Sequence, residues 1–552
     1  MKIRTLSIAF IIIVSLIPLF DLLKPGVYIS HDFGEHSARL ASFYESLSQG
    51  NIIPRWAGNL NHGYGHPVFM FLYPLTNYLG SLIHFLGLSI VDSIKTLFAV
   101  SYIFSGLFMY LWIEKLWGRK AGLVAAILYL FAPYRFVDLY VRASLGEHLA
   151  FLFVPMVCWL ITLLAKTGKN KFSILTGISL ALLILSHNAL SLVFLPLIFI
   201  YSIYLILALT KKKKTLIIQL LISLLIGFAL SAFFWIPAFF EGKYTLREIV
   251  TDKEIFFSNY IFWKELFISK WGWGQSALNG SQSGFYVALG WIQILVFLLS
   301  IIFVIKSKKP ERYFVILIIL CFLFSAFLTT SSSKFIVEYI PLLTTFQFPW
   351  RLLAVPVFCA SILGSFCVKS VKVKNQTVLI LGIVIFAVLS NSSFWHIKGI
   401  SGQYPDSFWI NSYKGTTETG ESTPLWTIRF QEKDPVAKVQ AVQGTLESIE
   451  ISNWQFENHQ YILQTKASTR IADNTLYFPG WKVFVNGKDA AIEFQDENWR
   501  GIITYDVPAG KSNIVVQFTD TKIRKLANII TFGAVILIFF WCLIFFLKNE
   551  EK

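Results

Sequence analysis

Apolar residues in this chain gather into runs of about twenty, and short polar segments separate the runs. A helix of that length spans the hydrocarbon core of a bilayer. Twelve runs read as spans, at roughly 4–23, 92–113, 121–134, 147–165, 172–189, 190–210, 215–240, 284–305, 313–330, 350–368, 376–394 and 525–547. The first, in "MKIRTLSIAFIIIVSLIPLFDLL", exceeds the 7–15 residue apolar core of a signal peptide and lacks a small-residue cleavage site. It reads as an uncleaved span.

Between 395 and 522 the chain is polar and the period shortens to two. "YFPGWKVFVNGKDAAIEF" has two alternating runs joined by Asn486-Gly487, a type I′ hairpin signal. "GIITYDVPAGKSNIVVQF" predicts a second hairpin turning at Pro508-Ala509-Gly510, and "ESIEIS" and "QYILQTKA" alternate likewise. About eight short strands predict a β-sandwich-like domain. The expected organisation is a polytopic α-helical membrane module over 1–394, with a first outer loop at 24–91. A β domain follows over 395–522, and 523–552 supplies a last span and a tail.

Composition agrees: 55% of residues are hydrophobic and 14% charged, against about 25% charged in soluble proteins. The net charge of +16 would suggest nucleic acid in a soluble chain. Here no basic stretch interleaves with aromatics, and the cations cluster between apolar runs, which argues against nucleic acid and suits membrane topology. With the N-terminus inside, the inner segments hold 21 basic residues against four acids, Glu114, Glu311, Glu550 and Glu551. The outer segments 28–90, 135–147, 241–283, 331–349 and 395–522 are neutral or slightly acidic. This positive-inside pattern predicts cytoplasmic termini and an extracytoplasmic β domain. The apolar stretch 67–87 would invert that pattern if it spanned, so it reads as an amphipathic or re-entrant outer element containing Pro67, Pro74 and Gly80. All five cysteines fall in apolar runs, with no CxxC, so neither a zinc knuckle nor a disulfide framework is indicated.

Polar residues crowd the outer ends of the spans. In "SHDFGEHSARL" (30–40), Asp32 and Glu35 have the spacing of a capping box. Leu40, Phe43, Tyr44 and Leu47 then continue an amphipathic helix that Gly50 ends. The functional reading adds "NIIPRWAGNLNHGYGHP", with Arg55, Trp56, Asn59, His62 and His66. Such a density of His, Arg and aromatic residues beside a membrane suits a charged headgroup. His31, His36, His62 and His66 could also ligate a metal, but no H-E-x-x-H register exists, and a divalent ion stays open. "APYRFVDLYVRASLGEHLA" adds Arg135, Asp138, Arg142, Glu147 and His148, and "LSHNAL" adds His187, as interfacial anchors or as a site. In "TTFQFPWRLLAVP", Gln347, Trp350 and Arg351 precede an apolar helix, where an arginine either anchors the chain or binds an anion.

Taken in order, "SHDFGEH…PRW…HGYGHPVFMFLYPL", "YLFAPYRFVDLYVRASLGEHLA", "LSHNAL", "FQFPWR" and "YFPGWKVFVNGK…VPAG" resemble a family of bacterial membrane proteins, over about residues 28–520. The family is labelled 6-pyruvoyl-tetrahydropterin synthase-related and is similar to YfhO-type proteins. Pterin-synthase chemistry, with its three-His zinc site, finds no support in these residues. The wider resemblance is to the GT-C architecture of polytopic glycosyltransferases that use polyprenyl-phosphate sugars. Those carry a catalytic acid early in the first outer loop, where this chain has Asp32. It has His31-Asp32 where some members have Asp-x-Asp or Asp-Glu.

The resemblance implies an inverting, hexosyltransferase-class enzyme of the bacterial plasma membrane. Its donor is a polyprenyl-phosphate sugar and its acceptor a cell-surface glycan, polymer or protein. Asp32 is the expected base, with Glu35 beside it. His31, His36, Arg55, His62, His66, Arg142, Glu147, His187 and Arg351 are the expected substrate-binding residues, with no metal ligand assigned. A transporter or flippase of a lipid-linked saccharide is the alternative, and a non-catalytic envelope assembly factor a third.

Overall fold

A computed structural model of the chain describes residues 2–275 and 283–550. Part of the expected outer segment 241–283 and the last two tail residues therefore lie outside the described residues. The protein is a helical membrane protein with a sheet domain towards its C-terminus. By length and composition, eight helices suffice to cross a bilayer, or nine if Arg119–Leu130 and Pro133–Arg142, bent by 49° at their break, count as one span. Three of the twelve expected runs form shorter apolar helices, Asn170–Ser186, Trp291–Ile305 and Lys374–Ser390. The stretch 67–87 holds only a single turn, Val68–Met70, and the 11-residue helix Leu75–Phe85, about half the length a span needs.

The chain divides into two compact units. One gathers Met1–Gly34, Val91–Ser231 and Thr251–Gln403. Its central helix, Ala354–Ser370, is buried along nearly its whole length and packs against Arg119–Leu130, Trp291–Ile305 and Glu311–Leu328. Helix Leu145–Thr167 packs on Asn170–Ser186 and Asn188–Ala208. Asn170–Ser186 meets Lys213–Leu230 through small residues: a Cβ on Gly177 would lie 2.6 Å from Ile226, and one on Gly227 would lie 2.8 Å from Leu180. That close approach lets Ser173 donate to the Gln219 carbonyl at 2.7 Å, the small-residue and hydroxyl packing expected between membrane helices. Strands β1 (Val27–Tyr28) and β2 (Ile400–Gly402) pair antiparallel in this unit.

The second unit gathers Glu35–Ile90, Ala232–Val250 and Tyr404–Lys552. Its sheets hold β3 (Val439–Gln443), β4 (Leu446–Gln455), β5 (Asn458–Thr465), β6 (Thr469–Leu476), β7 (Trp481–Val485), β8 (Lys488–Ala490), β9 (Ile502–Val507) and β10 (Gly510–Phe518). A five-stranded sheet has the order β4-β5-β10-β7-β8 and a three-stranded one β3-β6-β9. Alternating inward residues of both, such as Leu463, Val483, Ile514 and Val516 with Ile471, Ile503 and Tyr505, share one core with Trp56 and Met70. The first expected hairpin forms: Val485 pairs with Lys488 around Asn486 and Gly487, both at positive φ as a type I′ turn requires.

The second expected hairpin does not form. β9 pairs with β6 and β10 with β5 and β7, so the chain changes sheets at Pro508-Ala509. Alternation in each strand records only which face is buried, and both arrangements satisfy it.

Candidate active site

Glu147 is the centre of a buried polar cluster in the first unit. It lies in the first turn of helix Leu145–Thr167, an acid where the helix dipole favours one. The chain reaches that helix through a π-helical turn, Val137–Arg142, and Ala143 in the left-handed region. This geometry turns both Asp138 and Arg142 towards Glu147. Arg142 Nη2 lies 2.7 Å from Glu147 Oε1, and Arg142 Nη1 donates to Asp138 Oδ1 at 2.6 Å. Tyr134 donates its hydroxyl proton to Glu147 Oε2 at 3.1 Å.

Arg351 comes from the turn that opens the central helix, and its Nε lies 3.2 Å from the same Glu147 Oε1. His187 Nε2 lies 3.9 Å from that oxygen, while His187 Nδ1 accepts the Leu190 N–H as a helix cap. Two arginines and two carboxylates thus meet in one cluster. Trp350 lies beneath the Arg142 guanidinium at 4.3 Å, and Phe285 packs edge-on against Trp350. Arg142 is fully enclosed, whereas Arg351 is partly open, and its Nη2 makes no hydrogen bond among the described residues.

The His31-Asp32 turn is fixed to this cluster by backbone. His31 N–H donates to the Val141 carbonyl at 2.9 Å and Asp32 N–H to the Arg142 carbonyl at 3.0 Å. His31 Nε2 lies 3.0 Å from the Gly274 carbonyl, which makes it the protonated nitrogen. Desolvation by the surrounding chain lowers the imidazole below its usual range, and the Asp32 carboxylate opposes that shift. Asp32 is half-buried beside His31. Helix Phe33–Ser48 starts directly after it.

Arg135 and His148 stand apart from the charged cluster. Arg135 is fully buried among Phe151, Tyr102 and Tyr129, with its centre 4.3 Å from the Phe151 ring, and it donates to Ser105 at 3.1 Å. It is held by aromatic faces rather than by a carboxylate.

The other expected site residues fold into the second unit. Tyr413 donates to Glu35 Oε2. His36 Nδ1 lies 3.3 Å from Arg39 Nη1, and Arg39 donates to the Thr417 carbonyl. Arg55 is consumed: Nε faces Asp520 at 3.1 Å, Nη2 donates to Asn528 at 2.9 Å and Nη1 to the Phe233 carbonyl at 3.4 Å. The N–H groups of Arg55 and Trp56 both donate to Glu457, whose carboxyl is pushed up to about 7, chiefly by burial. His62 pairs with Asp434 at 2.8 Å on the surface. His66 meets Glu418 at 2.7 Å, both fully buried, and Glu418 also accepts from Ser422. Gly65, at φ +82°, leaves the space that Trp56 fills. The four loop histidines take four separate partners. Among the described residues no three His, Cys, Asp or Glu side chains converge as a metal ion needs.

Sequence reading passed over Tyr134 and Glu418. The first carries no signal beyond the aromatic richness of its segment, and the second lies 352 residues from its histidine. Asp138 and Arg142 carried one, the i,i+4 spacing of an ion pair on a helix.

A family model described as "6-pyruvoyl-tetrahydropterin synthase related domain; membrane protein" matches residues 69–397. An uncharacterized protein of Lactococcus lactis subsp. cremoris (strain MG1363) is 25% identical over 321 residues, which are 56% of this chain and 51% of that one. This chain therefore spans about half the length of that relative. Among solved structures it is similar to the arabinofuranosyltransferase AftD from Mycobacteria, with TM-score 0.44 and 13% identity over 70% of this chain and 26% of that one. The oligosaccharyltransferase of Archaeoglobus fulgidus gives TM-score 0.37 and 12% identity over 74% and 56%. ArnT from Cupriavidus metallidurans gives 0.29 and 10% over 74% and 88%.

Proposed function

We propose a function from one premise: the chain belongs to the 6-pyruvoyl-tetrahydropterin synthase related family of membrane proteins, whose model covers residues 69–397. It acts as an inverting glycosyltransferase that moves a sugar from a polyprenyl-phosphate donor to a cell-surface acceptor at the outer face of the bacterial plasma membrane. Both termini are cytoplasmic, and the three shorter apolar helices cross the membrane with the longer ones. The sheet domain guides the acceptor outside.

One observation carries this reading. Asp32 is half-buried at the turn, and its backbone is tied to Arg142, a member of the two-arginine cluster. Asp32 takes the proton of the acceptor hydroxyl as that oxygen attacks the anomeric carbon. The bond from that carbon to the phosphate oxygen breaks, and the lipid leaves as a phosphate. Positioned base catalysis contributes about 10²–10⁴-fold. Arg351 meets the charge developing on the leaving oxygen with its open Nη2, and Arg142 acts through Glu147, which both arginines share. His31 orients the turn through its Nε2 contact with the Gly274 carbonyl.

A specific feature favours a second reading, a transporter of a lipid-linked saccharide. Arg135, Asp138 and Arg142 sit in a broken helix pair, an arrangement used where transporters bind anions. Mass spectrometry of lipid-linked sugars and surface polymers, with wild type or Asp32→Asn as the only copy, separates the two. Transfer predicts that Asp32→Asn accumulates polyprenyl-phosphate sugar and leaves the polymer unglycosylated. Loss of the lipid-linked sugar from the outer leaflet alone refutes it in favour of transport.

A further inference from the structure

Gln347 has φ 65° and ψ −48°. The Phe348 N–H donates to the Phe346 carbonyl across it at 2.7 Å. Phe346, Gln347 and Phe348 therefore form a γ-turn of the uncommon hand, in which the Cβ of the central residue crowds its own backbone. Glycine would relieve that crowding, yet the chain has glutamine. Such backbone persists where its surroundings over-determine it, and it concentrates at functional sites.

What the turn delivers is specific. The Phe346 carbonyl and Gln347 Oε1 accept from one nitrogen, Arg351 Nη1, at 3.1 and 3.0 Å. Arg351 Nε faces Glu147 at 3.2 Å, and the guanidinium lies 5.2 Å from the Phe348 ring. The planar fork is thus hydrogen-bonded at Nη1, set beside Glu147 at Nε and laid against the Phe348 ring, which leaves Nη2 without a hydrogen bond among the described residues. Without the turn, Arg351 is free to rotate its fork fully onto Glu147, and the open nitrogen is lost to a carboxylate already present.

We infer that Gln347 is a positioning residue, whose strained turn holds Arg351 so that Nη2 is presented to one anionic oxygen of a phosphate ester. This rests on the reading of Arg351 as the contact for the leaving phosphate.

The test uses the whole chain in detergent micelles, with calorimetric titration of farnesyl phosphate and farnesol as control. Gln347→Gly removes the crowding and the Oε1 acceptor together. It should melt at or above the wild-type temperature yet bind farnesyl phosphate about tenfold more weakly. Gln347→Glu keeps the turn but sets a carboxylate on Nη1, and it should also weaken binding. Wild-type affinity in either variant overturns the inference. A Gln347→Gly protein that loses affinity and melting temperature together overturns it too, since the turn is then structural only. Failure of wild type to bind farnesyl phosphate, or wild-type affinity in Arg351→Gln, refutes instead the phosphate reading on which it rests.

Discussion

Arg351 Nε and Glu147 Oε1 lie 3.2 Å apart, and that same oxygen serves Arg142 at 2.7 Å. One carboxylate oxygen therefore faces two guanidinium groups, and Asp138 holds only Arg142 besides. Glu147→Gln takes a partner from the enclosed Arg142 and the one carboxylate from the partly open Arg351. Breaking such a pair costs about 3–5 kcal/mol, so the variant should show a large fall in melting temperature in detergent. An unchanged melting temperature would mean that Asp138 alone holds Arg142.

Asp32→Asn and Glu35→Gln separate catalysis from helix capping. Asp32 is half-buried directly before helix Phe33–Ser48, and Asn caps a helix as well as Asp. Its melting temperature should stay within a degree or two of wild type, while turnover falls by about 10²-fold or more. Glu35 accepts from Tyr413, a bond that Gln preserves, so Glu35→Gln should keep most of the activity. Normal sugar transfer by Asp32→Asn would return this stretch to plain capping.

Glu457 makes the second unit sensitive to pH. Its carboxyl is pushed up to about 7, chiefly by burial, with Asp520 adding to the rise and Arg55 opposing it. A folded value above the unfolded one of about 4.3 means that the folded state binds more protons between these limits. Stability from this group is full below about pH 4 and is lost as pH rises through 7. The melting temperature should therefore fall from pH 5 to pH 8, and Glu457→Gln should flatten that slope. An equally steep slope in the variant would assign the effect elsewhere.

Orientation is open to direct labelling. In a chain whose five native cysteines are replaced, single cysteines at Lys212 and Lys308 should resist a membrane-impermeant thiol reagent in intact cells. One at Gly487 should react. Labelling at 212 would reverse the proposed sidedness.

Period and length made the helices and most strands legible in the sequence, and Asn486-Gly487 named its own turn. Lys-rich segments between apolar runs carried the sidedness expectation. What stayed hidden were partners distant in the chain. His31, His36, His62 and His66 look alike as loop histidines, yet their neighbours are Gly274, Arg39, Asp434 and Glu418. His31 and Asp32 fold with one unit and Glu35 and His36 with the other, although one helix start joins them. The γ-turn at Gln347 had no Gly or Asn to announce it, because surrounding contacts rather than local preference impose it.

The two backbone bonds from His31 and Asp32 to the carbonyls of Val141 and Arg142 have a kinematic consequence. Both acceptors belong to the π-helical end of the segment that breaks from Arg119–Leu130 at 49°. A shift of that segment therefore carries the backbone of Asp32 with that of Arg142. Arg351 reaches Glu147 from a different helix start.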